Sequence, residues 1–507
     1  MEYIVLCEVS RKQDYIFRSN KLTENVGASL IIKHLTEEMP RYFIAKFNGR
    51  KVLEGGGKSL YRFAKEEEAK GFIAHFSSMV LKEFPGIDLF MCYEPADFEN
   101  ENITNAIDRV YEKLAKKKSQ RKYSGRQISY GIQRICESTG MPARSESKYD
   151  INNTTGNRRC LSAEVEVKLE YSGKSEEYFK GLIPKGYSYL KGFDELFGKK
   201  ADKSYIAVVH IDGNRMGSKF DKFREIYEEP KGKDLKSHNE EYLKNLEKLS
   251  EDIKCCYEES FLEMCEEIVE KKELLLDETC IGRGLFPIRP LIVAGDDICF
   301  VTSAKIGIEA SRIFIENLNK KYINIGGQKY QLNACAGVAI VKAHYPFARA
   351  YKLAEDLCNL CKSKLAKESS DKDYSLIDWH LEQGEISGSI SQIRKELYNN
   401  GTLTMKPIYI NNKDNWQNYK NFLKTLEKIS LQEDGAPRSK IKALREVFRQ
   451  GKDESEVFIK VNKLEKYVPP IDENYSDLNA YGFSKDGICM YYDAIEIMDL
   501  FMQLKGE

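Results

Sequence analysis

No apolar run in the sequence is longer than a strand. The longest, such as 205–209 and 290–294, fall far short of the ~18 residues that a membrane helix needs, which excludes a helical membrane protein. No basic stretch precedes the first apolar residues, Tyr3-Ile4-Val5-Leu6, so no signal peptide is expected. Charge of one sign is lacking too. The 79 Lys+Arg balance 79 Asp+Glu, which excludes a histone-like coat for nucleic acid and leaves room only for a local basic groove. The 13 cysteines are odd in number and have no framework spacing, so we expect reduced thiols and a cytoplasmic protein. What is present is 42% hydrophobic and 31% charged residues over 507 positions, enough to build real cores and consistent with roughly three domains.

The hydrophobic pattern runs twice through the same order. Strand 3–9, helix 25–38, a hairpin turning at Gly55-Gly56-Gly57, helix 64–84, strand 87–93 and helix 101–118 form one unit. Strand 206–211, a hairpin turning at Gly295-Asp296-Asp297, helix 305–321, strand 331–340 and helix 347–367 form the other. Placing Gly56-Gly57-Lys58 over Gly295-Asp296-Asp297 sets helix on helix and strand on strand, as in two ferredoxin-like βαββαβ sheets. The predicted fold class is therefore α+β. Expected domains are 1–122, a loop-rich linker at 123–185, and 186–411 with a helical Lys/Glu-rich insertion at about 221–282 that reads as a solvated face. A helical, highly charged C-terminal domain at 412–507 completes the chain, with a break at Gly435-Ala436-Pro437.

Two acidic elements carry the chemistry. One is the strand His210-Ile211-Asp212-Gly213-Asn214, and the other the hairpin Ala294-Gly295-Asp296-Asp297. A Gly-Asp-Asp turn alone is also an ordinary hairpin. Combined with Asp212 on an equivalent strand, it places hard oxygen ligands at one sheet edge, as Mg²⁺ or Mn²⁺ ions on nucleotide phosphates require. The adjacent glycines let backbone and triphosphate approach closely.

The order Asp212-Gly213-x-x-Met216-Gly217, then Pro287 to Asp297, then 332–340 and 354–362, resembles the second palm of the large Cmr/Csm subunit of type III CRISPR systems, the "Cas ten" family, itself related to GGDEF cyclases. Gln13-Asp14-Tyr15-Ile16-Phe17, Gly27-Ala28-Ser29-Leu30 and Gly55 to Lys58 resemble that family's degenerate first palm. The resemblance implies two tandem palms, a degenerate zinc-ribbon-like linker and C-terminal helices that meet another subunit. It also implies a nucleotidyltransferase that joins ATP 3′ to 5′ into cyclic oligoadenylates for antiviral defence. Asp212, Asp296 and Asp297 are the implied ligands of two Mg²⁺ or Mn²⁺ ions, with Gly213, Asn214, Gly295 and Lys362 at the nucleotide. As a bare sequence feature, Lys362 reads more readily as a solvated helix lysine than as a phosphate ligand. Gly56 and Gly57 are expected to face the acceptor nucleotide in a palm that holds no metal pair of its own. Implied partners are ATP, other effector subunits and guide or target RNA, with no membrane.

The sequence departs from the family pattern at Asn214, where a second Asp is frequent, and at Ala294, where a Gly is. Cys136 and Cys160 keep one thiol of each Cys-x-x-Cys pair, with Thr139 and Ala163 in the second positions, so no zinc is expected. Cys358 and Cys361 are read as helix packing, His210 as a sheet histidine, and Trp379 and His380 as core. With no His-Asp dipeptide, we expect no HD nuclease and no DNA cleavage. Two other readings stay open: a catalytically weak scaffold subunit, and a diguanylate or mononucleotide cyclase.

Overall fold

In a computed structural model, the described residues are 1–121, 131–146, 158–179, 181–198, 205–230, 232–368, 373–384, 388–399, 402–412, 414–430, 438–470 and 480–504. The consecutive apolar residues Ile4 to Cys7 must be covered on both faces, and their strand, β1 (Glu2–Ser10), lies inside an antiparallel sheet. After it come α1 (Lys12–Ile16) and α2 (Leu22–Lys33), which passes through a π-turn into α3 (Met39–Lys46). Strands β2 (Arg50–Gly55) and β3 (Lys58–Phe63), helix α4 (Glu66–Glu83), β4 (Asp88–Ala96) and α5 (Ile103–Ser119) complete the unit. The strand order β2-β3-β1-β4 is the ferredoxin-like one.

The stretch read as loop-rich holds a short ladder of β5 (Ser145–Glu146) and β6 (Cys160–Leu161). It also holds two helices that the pattern hid, α6 (Ala163–Ser172) and α7 (Ser175–Tyr178). The Ser162 hydroxyl caps α6 by accepting from the Val165 amide, and α6 packs on α2 with Lys168 buried between Glu164 and the Tyr15 carbonyl. The Thr139 and Ser162 hydroxyls pair at 3.2 Å beside the buried Cys136. Positions 122–130, 147–157 and 180 of this stretch lie outside the described residues, as does the expected break at 435–437.

The second unit starts with β7 (Tyr205–Gly213), α8 (Met216–Glu225), the long α9 (Leu235–Glu270) and α10 (Lys272–Leu275). It continues through β8 (Ile288–Ala294), β9 (Asp297–Ser303) and α11 (Ala304–Leu318). A small hairpin follows, β10 (Tyr322–Ile325) and β11 (Gln328–Gln331), then β12 (Ala334–Lys342) and α12 (Phe347–Lys367). Gln331 thus closes a separate hairpin rather than opening the long strand. Two further strands, β13 (Leu376–Leu381) and β14 (Ile408–Tyr409), flank α13 (Ile390–Leu397) and extend the sheet to β14-β13-β12-β7-β9-β8. Its four strands β8-β9-β7-β12 repeat the order β2-β3-β1-β4 of the first sheet, so the tandem palm architecture is observed.

Helices α14 (Tyr419–Ser430), α15 (Arg438–Phe448), α16 (Lys452–Val461) and α17 (Tyr492–Ile497) form the C-terminal part. It is docked on the second sheet: Trp379 packs on Phe422 at 4.6 Å, and buried Lys406 pairs with buried Asp493 at 3.0 Å.

The insertion is not simply a solvated face. Helix α9 buries Tyr242, Leu246, Leu249, Ile253, Tyr257 and Phe261, an i+3/i+4 stripe hidden among the lysines and glutamates that dominate its composition. Its charged side pairs with the first palm, through Lys51 to Glu247 (2.9 Å), Lys254 to Glu37 (2.7 Å) and Arg62 to Glu240 (2.7 Å).

Candidate active site

Strand pairing builds the site. Asp212, next to last on β7, stands opposite Asp297, first on β9. Ala294 pairs with Asp297 across the hairpin, which leaves Gly295 and Asp296 as a two-residue turn. Gly295 has φ +64°, a conformation that favours glycine, so the tight turn needs it and sets Asp296 beside the end of β7. The Gly213 amide donates to the Asp296 carbonyl at 3.2 Å and locks the two elements together. Three carboxylates therefore converge at one edge of the second sheet.

Their electrostatics show the cost. Burial, and then the Asp212 charge, pushes the Asp296 carboxyl up to about 6. Burial also raises Asp297, against the opposing influence of His210 and Lys12. The His210 ring nitrogen Nδ1 lies 3.5 Å from Asp297 Oδ1, and both atoms are buried without a hydrogen-bond partner. Lys362, on α12, donates to Asp212 Oδ2 and to the Gly213 carbonyl (3.1 Å). Burial works against its charge, but Asp212 outweighs that and holds the ammonium above its ordinary pKa. Lys362 thus lies inside the carboxylate cluster.

Asn214 is placed differently from a ligand reaching outward. Its side-chain amide donates to the Tyr374 carbonyl at 2.7 Å, its backbone amide donates to the Asn333 carbonyl at 2.8 Å, and its Oδ1 is buried without a partner. Below it the Lys219 ammonium donates to the Asn214 carbonyl and to Asp373.

The first palm faces this edge. A narrow cleft with about 40 Å³ of free space runs between Gly56, Gly57 and Lys12 on one side and Ile292, Ala294 and Asp297 on the other. Lys12 donates to the Gly56 carbonyl. Gln13 donates to the Tyr351 hydroxyl at 3.0 Å, Phe17 stacks on the Tyr351 ring at 4.0 Å, and Tyr351 packs edge-on against His210. Reading the sequence had missed Lys12, Tyr351 and Tyr257, although Gln13 and Phe17 stood in a motif already noted. Cys358 and Cys361 are buried, their thiols donating to the Cys335 and Ala336 carbonyls, and Trp379 and His380 are core.

The donor set suits a hard cation. Asp212, Asp296, Asp297 and the Gly213 carbonyl are all oxygen donors, and Asp212 with Gly213 already holds one cation, the Lys362 ammonium. As the side chains stand, no group of three or more His, Cys, Asp or Glu among the described residues could hold a metal ion.

Residues 205–375, which contain all three carboxylates, match the family model for the second palm domain of Cas10/Cmr2. This segment is similar to the second palm domain of Cas10/Cmr2. Solved structures similar to the whole chain include a Csm1–Csm4 cassette in complex with cA4, at TM-score 0.54 and 11% identity, covering 98% of this chain and 69% of that one. A cassette in complex with pppApA gives 0.53 and 12%, covering 98% and 69%. One in complex with one ATP gives 0.52 and 13%, covering 98% and 70%. No curated protein matches the sequence. At these identities the likeness speaks for the fold alone. No helix among the described residues is long and apolar enough to cross a membrane.

Proposed function

We propose that the chain is the nucleotidyltransferase subunit of a type III CRISPR effector, joining ATP into cyclic oligoadenylates at the second palm. The observation that carries this reading is the meeting of Asp212, Asp296 and Asp297 at one sheet edge, with Asp297 lining a cleft whose far wall is the Gly56-Gly57 turn of the other palm. Two palms facing each other in this way would each take one nucleotide once the narrow cleft opens, aligning a 3′-hydroxyl with an α-phosphate and converting a bimolecular encounter into a positioned reaction. Csm1–Csm4 cassettes crystallised with ATP, pppApA and cA4 share the fold and support this class of ligand and a partner subunit.

Asp212, Asp296, Asp297 and the Gly213 carbonyl would hold Mg²⁺ or Mn²⁺, which supplies charge neutralisation at the phosphates when bound. Lys362 stands at the same edge, where its ammonium can pass from Asp212 to a phosphate oxygen. The Gly56-Gly57 turn leaves open space at Gly56, so an acceptor nucleotide can approach the backbone there.

A scaffold role is the second reading. It is favoured by the Lys362–Asp212 contact and by the Asn214 amide being committed to Tyr374. Incubation of the protein with labelled ATP or GTP and Mn²⁺, with and without RNA and partner subunits, separates the two. A cyclic oligoadenylate that vanishes in Asp296→Ala/Asp297→Ala supports the enzyme. No product under any of these conditions supports the scaffold, and a guanylate product the alternative cyclase.

A further inference from the structure

Helix α9 brings a polar group to the carboxylates that nothing in the fold requires. Tyr257 is fully buried, its hydroxyl has no hydrogen-bond partner, and it points at the end of β7. A Cβ built on Gly213 would lie 2.5 Å from that hydroxyl and 3.0 Å from the Asp296 Cβ, so the bare α-carbon of Gly213 is what lets Tyr257 and Asp296 share this space. An unpaired buried hydroxyl destabilises a resting fold, and a phenylalanine ring would fill the same volume beside Phe314 without that penalty. A tyrosine kept at such a position has a partner in another state of the site.

We propose that Tyr257 is a positioning residue whose hydroxyl donates to the Asp296 carboxylate when the site is loaded, fixing that carboxylate for a divalent cation. Asp296 is the acceptor in question because its side chain and the Tyr257 hydroxyl crowd the same point beside Gly213, whereas Asp212 is held by the strand and by Lys362. Tyr257 is well suited to hold it, because α9 is anchored to both palms: its apolar stripe packs under the second sheet, and Glu240, Glu247 and Glu251 are paired with Arg62 and Lys51 of the first. The insertion then acts as a strut that carries a second row of support to the carboxylate edge. Groups placed this way behind a metal ligand typically change metal affinity or activity by about 10- to 100-fold when lost. The inference deepens the proposed reaction and rests on it for the role of the cation, but its test reads binding separately from turnover.

The variant is Tyr257→Phe in the full chain, with three measurements. Mn²⁺ affinity is read by electron paramagnetic resonance in the presence of a non-hydrolysable ATP analogue, thermal melting without metal, and kcat and KM for ATP where product forms. We expect Mn²⁺ affinity to fall about 10-fold, kcat to fall with KM little changed, and the metal-free protein to melt at the same or a higher temperature. A tyrosine that serves only the core would instead lower the melting temperature and leave Mn²⁺ affinity alone, and that result overturns the proposal. So does Mn²⁺ binding that Asp296→Ala/Asp297→Ala fails to remove. If Mn²⁺ affinity responds to Tyr257→Phe but no oligoadenylate forms, the assigned reaction falls while the placement of Tyr257 stands.

Discussion

Replacing Asp296 with asparagine should stabilise the metal-free protein by a margin that starts near pH 4 and is complete above about pH 6. Burial and the Asp212 charge raise this carboxyl from 3.8 to about 6. The folded state therefore binds a proton that the unfolded chain has already released between those two values, and the stability this confers is lost as pH rises through about 6. A shift of about 2 units corresponds to about 3 kcal/mol of penalty on the ionised form. Asp296 sits on a partly exposed turn, so solvent screening reduces this to about 1–2 kcal/mol. Asparagine keeps the shape and removes the charge, so the gain is full at about pH 8 and absent at about pH 4. Thermal melts of both proteins across that range would show the difference as a rise of a few degrees at the alkaline end. Added Mg²⁺ at neutral pH should raise the melting temperature of the wild type and not of the variant, because a ligand stabilises only what it binds. An asparagine variant that melts lower than wild type at about pH 8, or whose difference does not change with pH, would refute the account of this turn as a charge-strained cation site.

Three further outcomes are expected. Gly213→Ala forces a methyl group against the Tyr257 hydroxyl and Asp296, costing about 1–3 kcal/mol in melting experiments and abolishing product, and combining it with Tyr257→Phe should recover part of that stability. Lys362→Met removes the cation that bonds Asp212, so Mn²⁺ binding without nucleotide should tighten while turnover falls at least about 10-fold, as read by resonance and by product mass. Gln13→Ala breaks the hydrogen bond to Tyr351 across the palm interface, and should shift stability by about 1 kcal/mol or less while lowering the apparent affinity for the acceptor nucleotide in initial-rate assays.

The order of elements and the two acidic strands were legible because both depend on short-range pattern. Ile206 to Ile211 alternate between two buried faces, and a Gly-Asp-Asp turn can be read from four letters. Helix α9 was harder. Its stripe from Tyr242 to Phe261 is spaced at one residue per turn, while its composition is dominated by charge, so the apolar content of any short window looks like a surface. The site residues that escaped notice, Lys12, Tyr257 and Tyr351, have no local signature at all. Each acquires a role only from contacts with residues far away in sequence, as Gln13 does with Tyr351. Strands β13 and β14 escaped for a related reason: a parallel strand on the edge of β12 is defined by its neighbour rather than by its own residues.

On the proposed reaction, the two hairpins explain why only one palm would carry the chemistry. Glu8 pairs with Lys58 in the first sheet as Asp212 pairs with Asp297 in the second, and the turns between Gly55 and Lys58 and between Ala294 and Asp297 are both two residues long. Lys118 on α5 reaches Glu8 at 2.6 Å, just as Lys362 on α12 reaches Asp212. The register is thus duplicated down to one lysine, and what differs is the charge at the equivalents of Asp296 and Asp297, which are Gly57 and Lys58. In the second palm three carboxylates face one ammonium, an excess of negative charge that a divalent cation would relieve. In the first, a single carboxylate, Glu8, faces two ammonium groups, with Lys58 at 3.9 Å, and a metal ion would meet net repulsion there. The same surplus of positive charge beside the open Gly56 turn suits a triphosphate, so one backbone template, changed at a few side chains, yields a cation edge in one palm and an anion edge opposite it in the other.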